Sequence, residues 1–275
     1  MDMPLLRRAL LYLLVVSPVL AQSQGFAKVT IRSANSTDPG NMRMQILPNG
    51  DLIANAVPVV MLLSYAYNVP VDPSLRLSSL PEWAIRERYD IEGKAIVNAI
   101  SPTQDSDSRN RNQQEIRELL TDHFKLEMRI ENKKMLVYAL TVVRSGPGLQ
   151  RSMIAGKDCA FDTAPGGCHN FVPGLGHPLN GKAIDMDDLA HYISNWTDLP
   201  VINRTSLRGL FTVHTEGWTP MRLPPPPPGT APAANHFAGL PTIFTVLSEL
   251  GLELNRQDDT LPVYTVEHIA RPVTN

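Results

Sequence analysis

The chain reads as an α+β fold: four helix-strand-strand units, antiparallel sheets covered on one face by helices, and an internal duplication. Self-similarity is the strongest ground. Residues 114–143 lie over 240–269 at a constant offset of 126 without a gap, so Leu126, Glu127, Val137 and Tyr138 fall on Leu252, Glu253, Val263 and Tyr264. Apolar meets apolar in between: Leu120 on Val246, Phe124 on Leu250, Met128 on Leu254, Leu140 on Val266. A weaker pair sets 59–71 against 189–201 at offset 130, with Pro70-Val71 on Pro200-Val201. After a loop eight residues shorter, Tyr89-Asp90-Ile91 meets Phe211-Thr212-Val213. The expected halves are 22–150 and 151–275, two units each. The other ground is pairing: strands joined by short turns lie antiparallel, and one-sided helices need a sheet to cover.

Residues 1–21 read as a signal peptide. Arg7 and Arg8 precede the apolar run 9–16, and Val19-Leu20-Ala21 offers small residues for cleavage. The run is shorter than the roughly 20 apolar residues of a bilayer span, and no later stretch is longer. An exported, periplasmic or extracellular chain starting near Gln22 is expected, with no membrane span after cleavage.

Residues 26–34 alternate polar and apolar as a strand does. Residues 42–47 and 51–55 flank Pro48-Asn49-Gly50, a hairpin signal, because Asn-Gly tolerates the positive φ of a tight turn. The first helix is expected over 57–67, with Pro58 in its first turn and Pro70 beyond its end. Residues 89–95 form a strand, and the polar stretch 101–114 reads as a surface linker. The helix over 114–124 carries Ile116, Leu119, Leu120 and Phe124 on one face. Strands over 126–130 and 136–143 follow, around a polar turn at Glu131-Asn132-Lys133-Lys134.

The loop 145–182 is rich in Gly and Pro and holds both cysteines, Cys159 and Cys168. In an oxidising compartment the two read as a disulfide. A metal set of Cys159, Cys168, His169 and His177 has the ligand number of zinc but not the spacing of a finger or ribbon. Asp185 is placed to cap a third helix over 186–196, whose inner face is Leu189, Tyr192, Ile193 and Trp196. Strands at Val201-Ile202 and 210–214 precede a Pro-rich loop, 222–234, in which Pro224–Pro228 reads as polyproline II. The last unit runs from Pro241 to Pro272.

Net charge is −2, and about −3 without Asp2, Arg7 and Arg8, so the chain lacks the concentrated positive charge of nucleic-acid or anionic-membrane binders. Gly-x-Ser-x-Gly, Ser-x-x-Lys and His-Glu-x-x-His are all absent. Ser64 and Ser194 hold equivalent places in the weak pair and read as structural. His123, His191, His214, His236 and His268 are scattered; Asp185, Asp187 and Asp188 crowd a helix start, where the dipole favours negative charge. Asn35, Asn195 and Asn203 fit the glycosylation pattern. No catalytic, cofactor-binding or metal-binding residue is assigned, and no cofactor is expected.

An ordered set of short motifs carries a resemblance. It runs Tyr65-Ala66-Tyr67, Pro81-Glu82-Trp83, Arg88-Tyr89-Asp90-Ile91-Glu92 and Leu119-Leu120-Thr121-Asp122-His123-Phe124-Lys125-Leu126. Val137-Tyr138-Ala139-Leu140, Pro200-Val201-Ile202-Asn203-Arg204-Thr205, Leu207-Arg208-Gly209, Leu250-Gly251-Leu252-Glu253-Leu254 and Arg271-Pro272 complete it. The chain resembles the exported bacterial family called domain of unknown function 3738. His123 stands where that family usually has Arg, and Ser206 where it usually has Gly. Members are expanded in soil acidobacteria, and similar domains are fused to membrane metallopeptidases of the β-lactam-sensor type. The resemblance implies an exported sensing or binding role and names no reaction.

The expectation is therefore a non-enzymatic exported binding module with an envelope protein or peptide as partner. The alternative is an exported hydrolase, with a site in the 150–182 loop or between the halves, drawing on His169, His177, Asp158 and Asp162.

Overall fold

The computed structural model describes residues 25–35, 41–71, 75–96, 105–222 and 237–274. The signal segment and Pro224–Pro228 lie outside the described residues. No helix among the described residues is long and apolar enough to cross a membrane.

Alternation builds the first sheet. Strands β1 (Lys28–Ser33), β2 (Arg43–Ile46) and β3 (Leu52–Pro58) bury Ile31, Met44, Ile46, Leu52 and Ala54. The hairpin turns at Gly50, φ +85°, with Asn49 Oδ1 accepting from Asp51 N at 3.1 Å. Strand β3 bulges at Ala56, φ +50°, whose amide donates to Asp90 Oδ1 at 2.8 Å. The bulge extends the strand through Pro58, so helix α1 (Val59–Tyr67) starts two residues later than expected, with Pro58 as its N-cap. Asn68, φ +49°, ends it. The short β4 (Leu77–Ser78), α2 (Glu82–Arg86) and β5 (Arg88–Lys94) follow.

Helix α3 (Asp105–Phe124) takes up most of the stretch expected as a linker. Its first two turns lack an apolar stripe, so periodicity missed them. Farther along, polar contacts fix the helix on α1: Gln113 Nε2 donates to Tyr65 O at 3.0 Å and Arg117 Nε to Ala66 O at 2.8 Å, satisfying carbonyls at the end of α1.

Strand β6 (Glu127–Val142) overturns the expected turn. Glu131-Asn132-Lys133-Lys134 is continuous strand, and β12 (Leu252–His268) is likewise unbroken. The two pair antiparallel over their whole length, with Lys134 opposite Thr260 near the middle. The polar run holds no Gly or Pro to break a strand, and its polarity reflects exposure. Arg129–Glu131, Lys133–Glu131 and Lys134–Asp258 ion pairs lie along it.

Between the long strands come β7 (Gln150–Arg151), a 3-10 turn (Gly156–Asp158), β8 (Phe161–Asp162), β9 (Gly181–Ile184), α4 (Met186–Ser194), β10 (Val201–Asn203), β11 (Phe211–Val213) and α5 (Ile243–Glu249). The sheets are ordered β1-β5-β3-β2-β8, β10-β6-β12-β4 and β7-β11-β9. The first and third are antiparallel throughout. The second is mixed, a departure from the expected all-antiparallel pairing, because β10 and β4 run parallel to β6 and β12. Each short strand follows a helix, α1 before β4 and α4 before β10, and each parallel pair is joined by a long connection.

Val201 lies opposite Tyr138, and Leu77 lies opposite Tyr264. Val71, which the sequence match sets on Val201, sits 40% exposed outside any strand, so that match does not carry over to the sheet. Two cores flank the ribbon of long strands. One gathers Ile31, Leu62, Leu63, Ile91, Phe124 and Tyr264; the other gathers Leu140, Leu189, Ile193, Trp218, Val246 and Leu252. Fully burying each such aliphatic or Phe side chain contributes about 1.5–3 kcal/mol.

Candidate functional site

The richest polar constellation lies between α3, the loop at His169 and the start of α4. Arg109, Gln113 and Arg117 share one face of α3 at four-residue spacing. With the lower two fixed on α1, Arg109 reaches toward α4. Its Nη2 donates to Asp185 Oδ2 at 2.8 Å and to Asp188 Oδ1.

Asp185 and Asp188 are already fixed by a capping box at the start of α4. Asp188 N donates to Asp185 Oδ1 at 2.7 Å, and Asp185 N to Asp188 Oδ2 at 2.9 Å. His169, φ +60°, brings its Nδ1 to 2.7 Å from Asp188 Oδ2. That short contact assigns the Nδ1 proton to the Asp188 bond, so the 3.1 Å approach of Arg109 Nη2 to Nδ1 is a packing contact.

The loop that carries His169 is stitched to the first sheet and α1. Strand β8 pairs with β2, Arg43 forms a two-pronged bond to Asp162 at 2.6 and 3.0 Å, and Phe161 packs on Tyr65 with ring centroids 4.5 Å apart. Within the loop, the Cys159 and Cys168 sulfurs lie 2.10 Å apart, at bonding distance.

Burial and charge act against each other here. Burial disfavours the Asp188 carboxylate, but Arg109 and His169 outweigh it and hold Asp188 well below the usual range. Asp185 is pushed up to about 6, by burial first and by the Asp188 charge beside it. Burial opposes a charge on His169, but Asp188 prevails and raises it. His191, on the same helix, is pushed down to about 4 by burial and the nearby Arg109 charge. One oxygen or nitrogen from each of His169, Asp185 and Asp188 falls within 4.8 Å of the others, a spacing that suits a metal. The Arg109 guanidinium already supplies the cation, so these residues do not fit a resident metal ion.

Of the hydrolase candidates, only His169 joins this cluster. Asp162 is committed to Arg43. Asp158 ends the exposed 3-10 turn. His177 stacks on Trp196 with centroids 3.5 Å apart, and its carbonyl accepts from Trp218 Nε1 at 2.9 Å. Ser64 and Ser194 each tie a helix to the segment after it: Ser64 Oγ donates to Val69 O at 2.6 Å, and Ser194 Oγ accepts from Val201 N at 3.2 Å. Asn195 and Asn203 are half-buried, with amides donating to His191 O and Asp187 Oδ1. Sequence reasoning missed Arg109, which lay inside the supposed linker.

A second feature is the ribbon itself. Tyr138 N–H donates outward to Pro200 O, and Leu140 O accepts from Arg204 N, so even-numbered residues of β6 turn their backbone groups away from β12. Over 127–137 no strand among the described residues pairs with that outer edge. Met128, Ile130, Asn132, Lys134 and Leu136 present N–H and C=O there, and Ile130 is 59% exposed. On the outer edge of β12, Pro262 has no N–H to offer.

A family model described as "Protein of unknown function (DUF3738)" matches residues 60–269. No curated protein and no solved structure matches the chain.

Proposed function

The chain belongs to the family whose model spans its residues 60–269, and from that premise we propose an exported, non-enzymatic binding module that accepts an extended segment of a partner protein along β6. The outer edge of β6 from Met128 to Leu136 carries the reading, as a row of backbone donors and acceptors with no strand beside it among the described residues. Main-chain bonds along such an edge supply affinity, and alternate side chains supply selection. Export and a closed Cys159–Cys168 disulfide belong to the same reading, supported by sulfurs at bonding distance. Internal duplication belongs to it too, supported by the shared order of strand, helix, short parallel strand, strand, helix and long strand in each half. An alignment of homologous chains in which the halves share only apolar spacing would remove the duplication.

The test selects extended peptides from a random library against the mature protein. Bound peptide should protect the Ile130, Asn132 and Lys134 amides from hydrogen exchange. Asn132→Pro should abolish binding, because Asn132 faces away from β12. Peptides that bind without protecting β6, or a library yielding none, would count against strand acceptance.

One observation favours a hydrolase as the second reading. Asp188 holds Nδ1 of His169, and Nε2 makes no hydrogen bond among the described residues, the geometry of a carboxylate-oriented general base. A hydrolase panel in which His169→Gln leaves every activity unchanged would remove it.

A further inference from the structure

We propose that the strand accepted by β6 is the β6 of a second copy of this chain, making a twofold dimer centred on Asn132. The inference rests on the strand-accepting reading above and commits it to one occupant. Length gives the first argument. The uncovered edge starts at Glu127, where β6 begins, and ends at Val137, before Val201 of β10 takes its place beside Tyr138. An antiparallel copy of the same segment fills that gap end to end only when Asn132 lies opposite itself.

Backbone direction gives the second argument. Outward groups belong to even-numbered residues, so even must meet even. Centring on Asn132 sets Met128 opposite Leu136 and Ile130 opposite Lys134, each pair exchanging two hydrogen bonds. Centres one residue to either side also set even against even, so direction alone does not choose among them.

Charge makes the choice. A twofold centred on residue 131 sets Glu131 against itself, and one centred on 133 sets Lys133 against itself. Only the Asn132 centre sets Glu131 opposite Lys133 of the second copy, and does so twice by symmetry. Opposite charges directly across a strand pair stabilise it, and like charges destabilise it. Both side chains reach solvent, Glu131 at 41% and Lys133 at 54% exposure. The same charges turn away an unmatched strand, a common protection of exposed edges.

Sedimentation of the mature protein over a micromolar concentration series tests this. A dimer is expected, with Ile130, Asn132 and Lys134 amides protected as it forms. Glu131→Lys should weaken dimerisation by about tenfold, from two like-charge pairs. Adding Lys133→Glu should restore it, since the exchanged charges are again complementary across the twofold. Circular dichroism of both variants separates loss of association from loss of fold. A chain monomeric throughout the series, or a dimer indifferent to Glu131→Lys, overturns the proposal. If the chain is monomeric yet library peptides protect β6, the strand-accepting reading stands and only the second copy is excluded.

Discussion

Tyr138 and Tyr264 hold the same position on the two long strands. Tyr138 N donates to Pro200 O at 2.8 Å, and Tyr264 N donates to Arg76 O at 2.7 Å. Each faces the first residue of a short parallel strand that is distant in sequence, Val201 for Tyr138 and Leu77 for Tyr264. Short strands distant in sequence thus edge both long strands, β10 beside β6 and β4 beside β12. Arg109 likewise joins distant segments, linking α3 to the start of α4.

Arg109→Met should destabilise by about 3–5 kcal/mol, because it leaves the largely buried Asp185 and Asp188 without their cation. Urea unfolding of the variant against the parent measures it. A loss under about 1 kcal/mol, the range of exposed pairs, would show the cluster to be solvated.

The pH dependence of His169 has a definite sign. Its folded pKa is raised, so its contribution is complete below the unfolded value of 6.5 and lost as pH rises through the folded value. The stability difference between the parent and His169→Gln should shrink as pH is raised above 6.5. Denaturation midpoints of both proteins across that range check it, and parallel curves would contradict it.

His191 works the other way. Its folded pKa is lowered to about 4, so stability is present above 6.5 and lost as pH falls toward 4. His191→Gln should flatten that acid limb. Thermal unfolding at pH 7, 5.5 and 4.5 would reveal an unaltered slope if the side chain is solvated.

Reduction of the Cys159–Cys168 pair, nine residues apart, should cost about 2–3 kcal/mol in the chain-entropy model. Calorimetry with and without reductant reads it, with a thiol assay confirming that two sulfhydryls are released. Free thiols in the untreated protein would refute the disulfide.

Some of this was legible in the chain. The Asn49-Gly50 turn, the Asp185 cap, the inner face of α3 and Leu189 and Ile193 of α4 follow from local chemistry: positive φ, an orphan amide, a one-sided stripe; α4 ends at Ser194, short of the expected Trp196. The long strands were hidden because a polar run reads alike as a turn or as an exposed strand. Asp185 was legible as a cap, yet nothing local marked it as a partner of Arg109, 76 residues away.

By itself the sequence determined which segments are amphipathic, that α4 starts after Asp185, and that two cysteines sit close enough along the chain to meet. Those are properties of neighbours, fixed by backbone sterics and side-chain spacing. Only the tertiary structure decided that Glu127 to Val142 is a single strand, that β10 and β4 lie parallel to the long strands, and that Arg109, His169, Asp185 and Asp188 converge. Those outcomes depend on which surfaces exclude water together, and that is settled when distant segments pack.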